Sequence, residues 1–225
     1  MKMNRLLFAL ITAVTVFCSH ALADDYWPRT YFVEAGFGAA YSRGDLNKHI
    51  IKTADTLGNK VTVHPPTLNF LASPDLTLGA NIWAFTLTAN FQYWKSTQEL
   101  TKYDEEDNER NSRIWRFGFE FTYNLLWPED FQIGLGGGYS YSNIKTKNSA
   151  MFGYDESSAE LMGSGFAFIA NFRYYFTNHI AVVPSVKIYE NWYKNVYTEQ
   201  TGLCYLDHYF WQTTFFASLS VQYQF

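Results

Sequence analysis

At 225 residues the chain holds one domain after any leader is removed, and 17 % of it is charged while 20 % is aromatic. That balance, with a mean hydropathy slightly below zero, excludes a bundle of membrane helices and suits strands that alternate between two environments. A formal net charge of −4 argues against a nucleic-acid partner, which would want a basic surface.

The first 23 residues read as a secretory signal peptide. Lys2 and Arg5 supply the charged start, Leu6 to Cys18 the apolar stretch, and Ala21 and Ala23 the small residues before a cleavage expected ahead of Asp24. The apolar stretch is shorter than the roughly 20 residues a spanning helix needs. Bulky Phe17 before Cys18 speaks against a lipoprotein. The leader contains no acid, so the remainder, 24–225, is two units more negative than the whole. Any membrane residence of that remainder must come from strands.

Period-2 alternation then recurs along the chain. Near 30–42, Tyr31, Val33, Ala35, Phe37 and Tyr41 oppose Glu34, Gly36, Gly38 and Ser42. Near 67–82, Leu76, Leu78, Ala80 and Ile82 oppose Asp75, Thr77, Gly79 and Asn81, and Pro74 implies a bulge or a later start. Near 84–98, Phe85, Leu87, Ala89, Phe91 and Tyr93 oppose Thr86, Thr88, Asn90 and Gln92. Near 113–126, Trp115, Phe117, Phe119, Phe121 and Tyr123 oppose Arg116, Gly118, Glu120, Thr122 and Asn124. Near 131–145, Ile133, Leu135, Tyr139 and Tyr141 oppose Gln132, Gly134, Gly136, Gly138, Ser140 and Ser142. Near 163–176, Phe166, Phe168, Ala170, Phe172, Tyr174 and Phe176 oppose Ala167, Ile169, Asn171, Arg173 and Tyr175. The strand near 180–194 turns Ser185 and Lys187 to its inner side. The last, 210–225, sets Trp211, Phe215, Leu219, Val221, Tyr223 and Phe225 against Gln212, Thr214, Ser218, Ser220, Gln222 and Gln224.

Eight strands result, with connections of alternating length. The links at 82–84, 127–130 and 177–179 are tight, and those at 43–66, 99–112, 146–162 and 195–209 are long and polar. A soluble sandwich would carry Lys, Glu and Asp on its polar faces. Here those faces are Gly, Ser, Thr, Asn and Gln. The expected fold is therefore all-β, an up-and-down antiparallel transmembrane barrel of eight strands, closed because backbone groups in lipid must all be paired. Short turns fall in the periplasm and long loops outside in such barrels, so both termini are expected in the periplasm. The inner glycines, Gly36, Gly38, Gly134, Gly136 and Gly138, are expected to leave room for larger groups from the opposite wall.

Tryptophans fall near the expected strand ends. Trp27, Trp83 and Trp127 belong to one end, and Trp94, Trp115, Trp192 and Trp211 to the other, as two interfacial girdles. The ending, with Leu219, Val221, Tyr223 and Phe225 alternating to a terminal Phe, resembles the assembly signal of bacterial outer-membrane barrels. With the leader and eight strands, the chain is similar to the small OmpA-, OmpX- and OmpW-type barrels. That resemblance implies a Gram-negative outer membrane, with its lipids and lipopolysaccharide, and the barrel assembly machinery as partners. A monomer is expected, since closure leaves no edge to pair.

The charges expected inside are Glu34, Asp75, Arg116, Glu120, Arg173 and Lys187, three acids and three bases. A narrow lumen would force them into pairs, because a lone buried charge is costly. The leading expectation is a plugged barrel acting through four long loops. The alternative is a narrow, porin-like channel for small or hydrophobic solutes, as the OmpW-type resemblance suggests. A lipid-modifying enzyme is the third reading. Among His49, His64, His179 and His208 only His208, beside Asp207, sits at the outer mouth of a strand, and no set of catalytic roles can be filled. No cofactor and no metal are expected. The acidic run from Asp104 to Asp107, with Glu109, reads as a solvated loop, and Cys204 as a weakly reactive thiol with no partner for an intramolecular disulfide.

Overall fold

The computed structural model describes residues 31–47, 51–54, 60–63, 70–82, 84–98, 110–126, 131–147, 158–198 and 202–225. The expected leader, the acidic run at 104–109, His49, His64, Trp27, Trp83 and Trp127 lie outside them. The strands are β1 (Tyr31–Gly44), β2 (Ile51–Ala54), β3 (Lys60–Val63), β4 (Phe70–Ile82) and β5 (Phe85–Gln98). They continue as β6 (Arg110–Leu126), β7 (Phe131–Lys147), β8 (Ser158–Tyr175), β9 (Ile180–Thr198) and β10 (Gly202–Gln224). Eight of them form one closed antiparallel ring, in which β1 lies between β10 and β4. The other two, β2 and β3, pair only with each other, as a hairpin in the first long connection.

The alternation read from the sequence sorts side chains between the wall's two faces. Leu78, Phe168 and Leu219 point outward and are 63 %, 61 % and 61 % exposed, whereas Asn90, Arg116 and Gln222 point inward and are buried. A soluble domain does the reverse. This inside-out arrangement is stable only where lipid surrounds the wall, and the closed ladder pairs every strand so that no edge meets hydrocarbon.

Ring closure is tied at the short-turn end. The Phe225 amide donates to the Tyr31 carbonyl at 2.9 Å, and the Gln224 amide to the His179 carbonyl at 2.7 Å. The His179 ring stacks on Tyr223 with centroids 5.8 Å apart. The last strand is thus held by β1 on one side and by the β8–β9 turn on the other.

Pro74 sits within β4, which begins at Phe70, and lies opposite Phe37 of β1, so the strand does not start later and the expected irregularity occurs instead. The β4–β5 ladder begins only at Asp75 opposite Gln92, and the β1–β4 register shifts between Gly38 and Ala40. Proline has no amide hydrogen to give the ladder. The Ser73 hydroxyl instead reaches the Tyr93 carbonyl at 3.3 Å.

Three expectations need correction. The first concerns the fourth long connection, 195–209. It is mostly strand, since β9 runs to Thr198 and β10 starts at Gly202. A register shift between Tyr205 and Phe210 breaks the period-2 pattern there, which hides the continuation from a reading of alternation. Only three of the expected four long loops therefore separate the barrel strands, and the first contains the β2–β3 hairpin.

The second correction concerns glycines. At Gly136 and Gly138 it is the neighbouring strand, not the opposite wall, that comes close. A Cβ on Gly136 would lie 1.9 Å from the Phe121 carbonyl oxygen, and one on Gly138 would lie 2.2 Å from that of Phe119. Gly38 does face a ring, with Phe216 Cζ 2.3 Å from where its Cβ would be. Backbone cannot swing aside as a side chain can. Gly136→Ala is therefore expected to destabilise the barrel by about 1–3 kcal/mol. A lower urea midpoint for the heat-modifiable gel shift would show it, and an unchanged midpoint would mean that β6 and β7 separate freely.

The third correction is Trp94. It does not face outward with Trp115, Trp192 and Trp211 but lies inside, 2 % exposed.

Candidate functional site

Among the described residues the fold gathers its polar and charged side chains in the lumen, and all six charges expected there are buried in it. Their inward aim follows from strand parity, since residues two apart share a face. Nearest the short turns, Arg173 of β8 donates from Nε to Gln222 Oε1 at 3.0 Å and from Nη1 to Asn171 Oδ1 at 3.1 Å. Its guanidinium carbon lies 5.5 Å from the centre of the Phe32 ring.

At mid-height Lys187 of β9 crosses the lumen to Glu120 of β6, with Nζ 2.9 Å and 3.0 Å from the two carboxylate oxygens. Thr88 adds a hydroxyl donor to Glu120 Oε2 at 3.2 Å. Glu34 shares the small space beside them with Arg173 and Lys187, an internal void of about 10 Å³. That is about one water molecule. Asp75 is served by amides rather than by a cation: Asn90 Nδ2 donates to it, and Gln92 Nε2 lies 3.5 Å away. One of the expected ionic pairs thus forms directly, and the acid of β4 is held by amide hydrogen bonds to Oδ1 instead.

Above this level Arg116 lies against aromatic faces. Its guanidinium carbon is 4.0 Å from the Tyr189 ring centre and 5.3 Å from that of Trp94. Nη1 donates to Gln92 Oε1 at 3.3 Å and Nη2 to Thr214 Oγ1 at 3.4 Å. Tyr189 in turn accepts from Gln92 Nε2 at 2.9 Å. A planar cation between rings is bound by both ring faces and by its in-plane donors.

Beyond Arg116, toward the long loops, the lumen turns apolar. Trp94, Ile114, Ile144, Leu161, Tyr193, Val196, Leu206 and Phe210 pack together with Leu46 from the short 3-10 turn after β1, none above 3 % exposed. Sequence reading placed Ala167, Ile169 and Tyr175 on an inner face but did not identify this layer. The signal was present for Trp94, whose neighbours Tyr93 and Gln92 already fix its side. For Val196 and Leu206 it was hidden by the bulges in β9 and β10.

Outside the wall, Trp192 and Trp211 are exposed and Trp115 half-buried near the loop end. Trp211 Nε1 donates to Glu190 Oε2 at 2.7 Å, and the Trp115 and Tyr141 rings lie 5.4 Å apart. Leu219, Val221, Tyr223 and Phe225 line the outward face of β10 at the turn end. His208 is exposed in β10, and Cys204 is half-buried in the same strand.

The chain belongs to the family described as outer membrane protein beta-barrel domain, whose model matches residues 9–225. It is an outer-membrane barrel of the small eight-stranded kind. Among solved structures it is similar to Neisserial surface protein A, at 14 % identity and a TM-score of 0.51, over 87 % of this chain and 97 % of that one. It is also similar to Ail, the attachment invasion locus protein of Yersinia pestis, at 10 % identity and a TM-score of 0.51, over 88 % of this chain and 100 % of that one. Both likenesses are of fold. No curated protein matches the chain in sequence.

Proposed function

We propose that this protein is a sealed outer-membrane barrel that acts through its outer surface and loops, not through its lumen and not as an enzyme. The observation that carries the reading is the filled interior. The lumen is bridged by Lys187 and Glu120, retains about one water's volume beside them, and is capped by the apolar layer around Trp94 and Leu161. An ion would have to break a buried pair and then cross a dry layer, and both steps oppose conduction.

In this reading the leader is removed before Asp24, the short turns and both termini face the periplasm, and the long connections face outward. Trp115, Trp192 and Trp211 sit at headgroup depth. Leu219, Val221, Tyr223 and Phe225 are the segment read by the assembly machinery. The protein stands as a monomer among lipopolysaccharide and other outer-membrane lipids.

Planar-bilayer recording tests the seal. The wild type, its insertion checked by heat-modifiable migration, is expected to be electrically silent. Regular conductance steps, with an ion selectivity that shifts in an Arg116→Ala, Arg173→Ala variant, would overturn the reading and make the protein a narrow channel.

A further inference from the structure

The outward face of β5, β6 and β7 stacks cross-strand rows. Phe91, Phe117 and Tyr141 form one row, and Tyr93, Trp115 and Asn143 the next. Lys95, Arg113 and Lys145 form the row beyond, toward the loop end. Three cations are thus direct neighbours on adjacent strands, at Cβ separations of about 4.5–5.5 Å. Like charges placed directly opposite destabilise a sheet. Glu160 of β8, next in the same row, binds Lys145 at 2.6 Å. Lys95 and Arg113 remain exposed.

The height of this row is set by the strand itself. From Leu125 to Trp115 the outward face of β6 is aromatic or aliphatic, a run that matches the roughly 9–11 residues needed to cross the hydrocarbon. Arg113 stands one pleat past that run, just above the Tyr93 and Trp115 ring layer. A charged side chain there meets neither acyl chains nor bulk water first. It meets lipid headgroups.

We propose that Lys95, Arg113 and Lys145 form a seat for the phosphate of an anionic glycolipid of the outer leaflet, a lipid A-type headgroup. Its acyl chains lie down the wall over Phe91, Phe117 and Tyr141. The guanidinium of Arg113 gives a fork of donors to two phosphate oxygens, and the two ammonium groups add point charges on either side. The phosphate removes the like-charge repulsion between Lys95 and Arg113, Lys145 being already paired with Glu160. This inference takes from the proposed function only the orientation, with the loop end outward. It does not depend on whether the lumen conducts.

The test is native mass spectrometry of the detergent-solubilised full-length barrel titrated with bisphosphorylated lipid A, and with the same lipid stripped of phosphate. The wild type is expected to hold bisphosphorylated lipid A at least tenfold more tightly than a Lys95→Gln, Arg113→Gln variant. The preference is expected to vanish with the phosphate-free lipid. Arg113→Lys, which keeps the charge and loses the fork, binds with an affinity between those of the wild type and the double variant, and Lys52→Gln with Lys60→Gln, which removes two charges from the β2–β3 hairpin, leaves binding unchanged. Equal binding by wild type and the Lys95, Arg113 variant, with both folded by heat-modifiable migration, would overturn the proposal. So would binding that appears only after the acids at 104–107 are neutralised, since the row would then be served by its own loop. Because binding is read in detergent, its failure is independent of the bilayer recording.

Discussion

Lys187→Met is expected to destabilise the barrel by about 3–5 kcal/mol. The substitution keeps the length and apolar stem of the side chain but removes the ammonium. Glu120 then stands 6 % exposed, with the Thr88 hydroxyl as its remaining donor among the described residues. An uncompensated buried carboxylate is the costly outcome, more so than the loss of attraction itself. The double variant Glu120→Gln, Lys187→Met removes both charges and is expected to recover most of the loss. Unfolding in urea, followed by heat-modifiable migration, gives the comparison. A single variant as stable as wild type would show that water reaches Glu120 through the lumen, which would also weaken the case for a sealed interior.

The pair matters for geometry as well as stability. Glu120 lies on β6 and Lys187 on β9, strands that are not neighbours in the ring. Their bond ties opposite walls across the lumen, whereas ladder hydrogen bonds join only adjacent strands. Asp75 with Asn90 and Gln92, by contrast, joins β4 to its neighbour β5. Removing that cluster would loosen one seam, and removing the Lys187 bridge loosens the cross-section.

The strands and their faces were legible in the sequence because a wall between lipid and a polar lumen imposes strict alternation. Phe117, Phe119 and Phe121 against Arg116, Glu120 and Thr122 can be read no other way once the period is recognised. The six inner charges followed from the same parity. What could not be read was where the wall continues past the membrane. There no lipid enforces an apolar outer face, so Asn195, Tyr205 and Asp207 face outward while Val196 and Leu206 turn in. The register shifts between Tyr205 and Phe210, and between Met162 and Gly163, erased the remaining period. Partner choice inside the lumen was also beyond sequence. Parity says that Asp75 and Arg116 point inward, but only the register brings Asn90 and Gln92 to the acid, and the Tyr189 and Trp94 rings to the guanidinium. Trp94 is the instructive error. Placing it by nearness to a strand end ignored that Tyr93 had already taken the outward side.

Trp94→Ala is expected to cost about 3–5 kcal/mol, since it empties the largest side chain of a buried layer. A lipid-facing tryptophan would behave otherwise, because acyl chains refill the space at little cost. Trp94→Phe separates volume from hydrogen bonding. The indole Nε1 has no acceptor among the described residues, so phenylalanine loses some packing and no bond, and is expected to cost under about 1.5 kcal/mol. Brominated lipids supply an independent reading, since they quench only tryptophans within reach of the acyl chains. Trp192 and Trp211 in single-tryptophan variants are expected to be quenched, and Trp94 to be shielded. Strong quenching of Trp94 would place it outside the wall. With it would go the apolar cap over Arg116, and an ion entering from the loop end would then meet polar groups from the mouth to the Lys187 bridge.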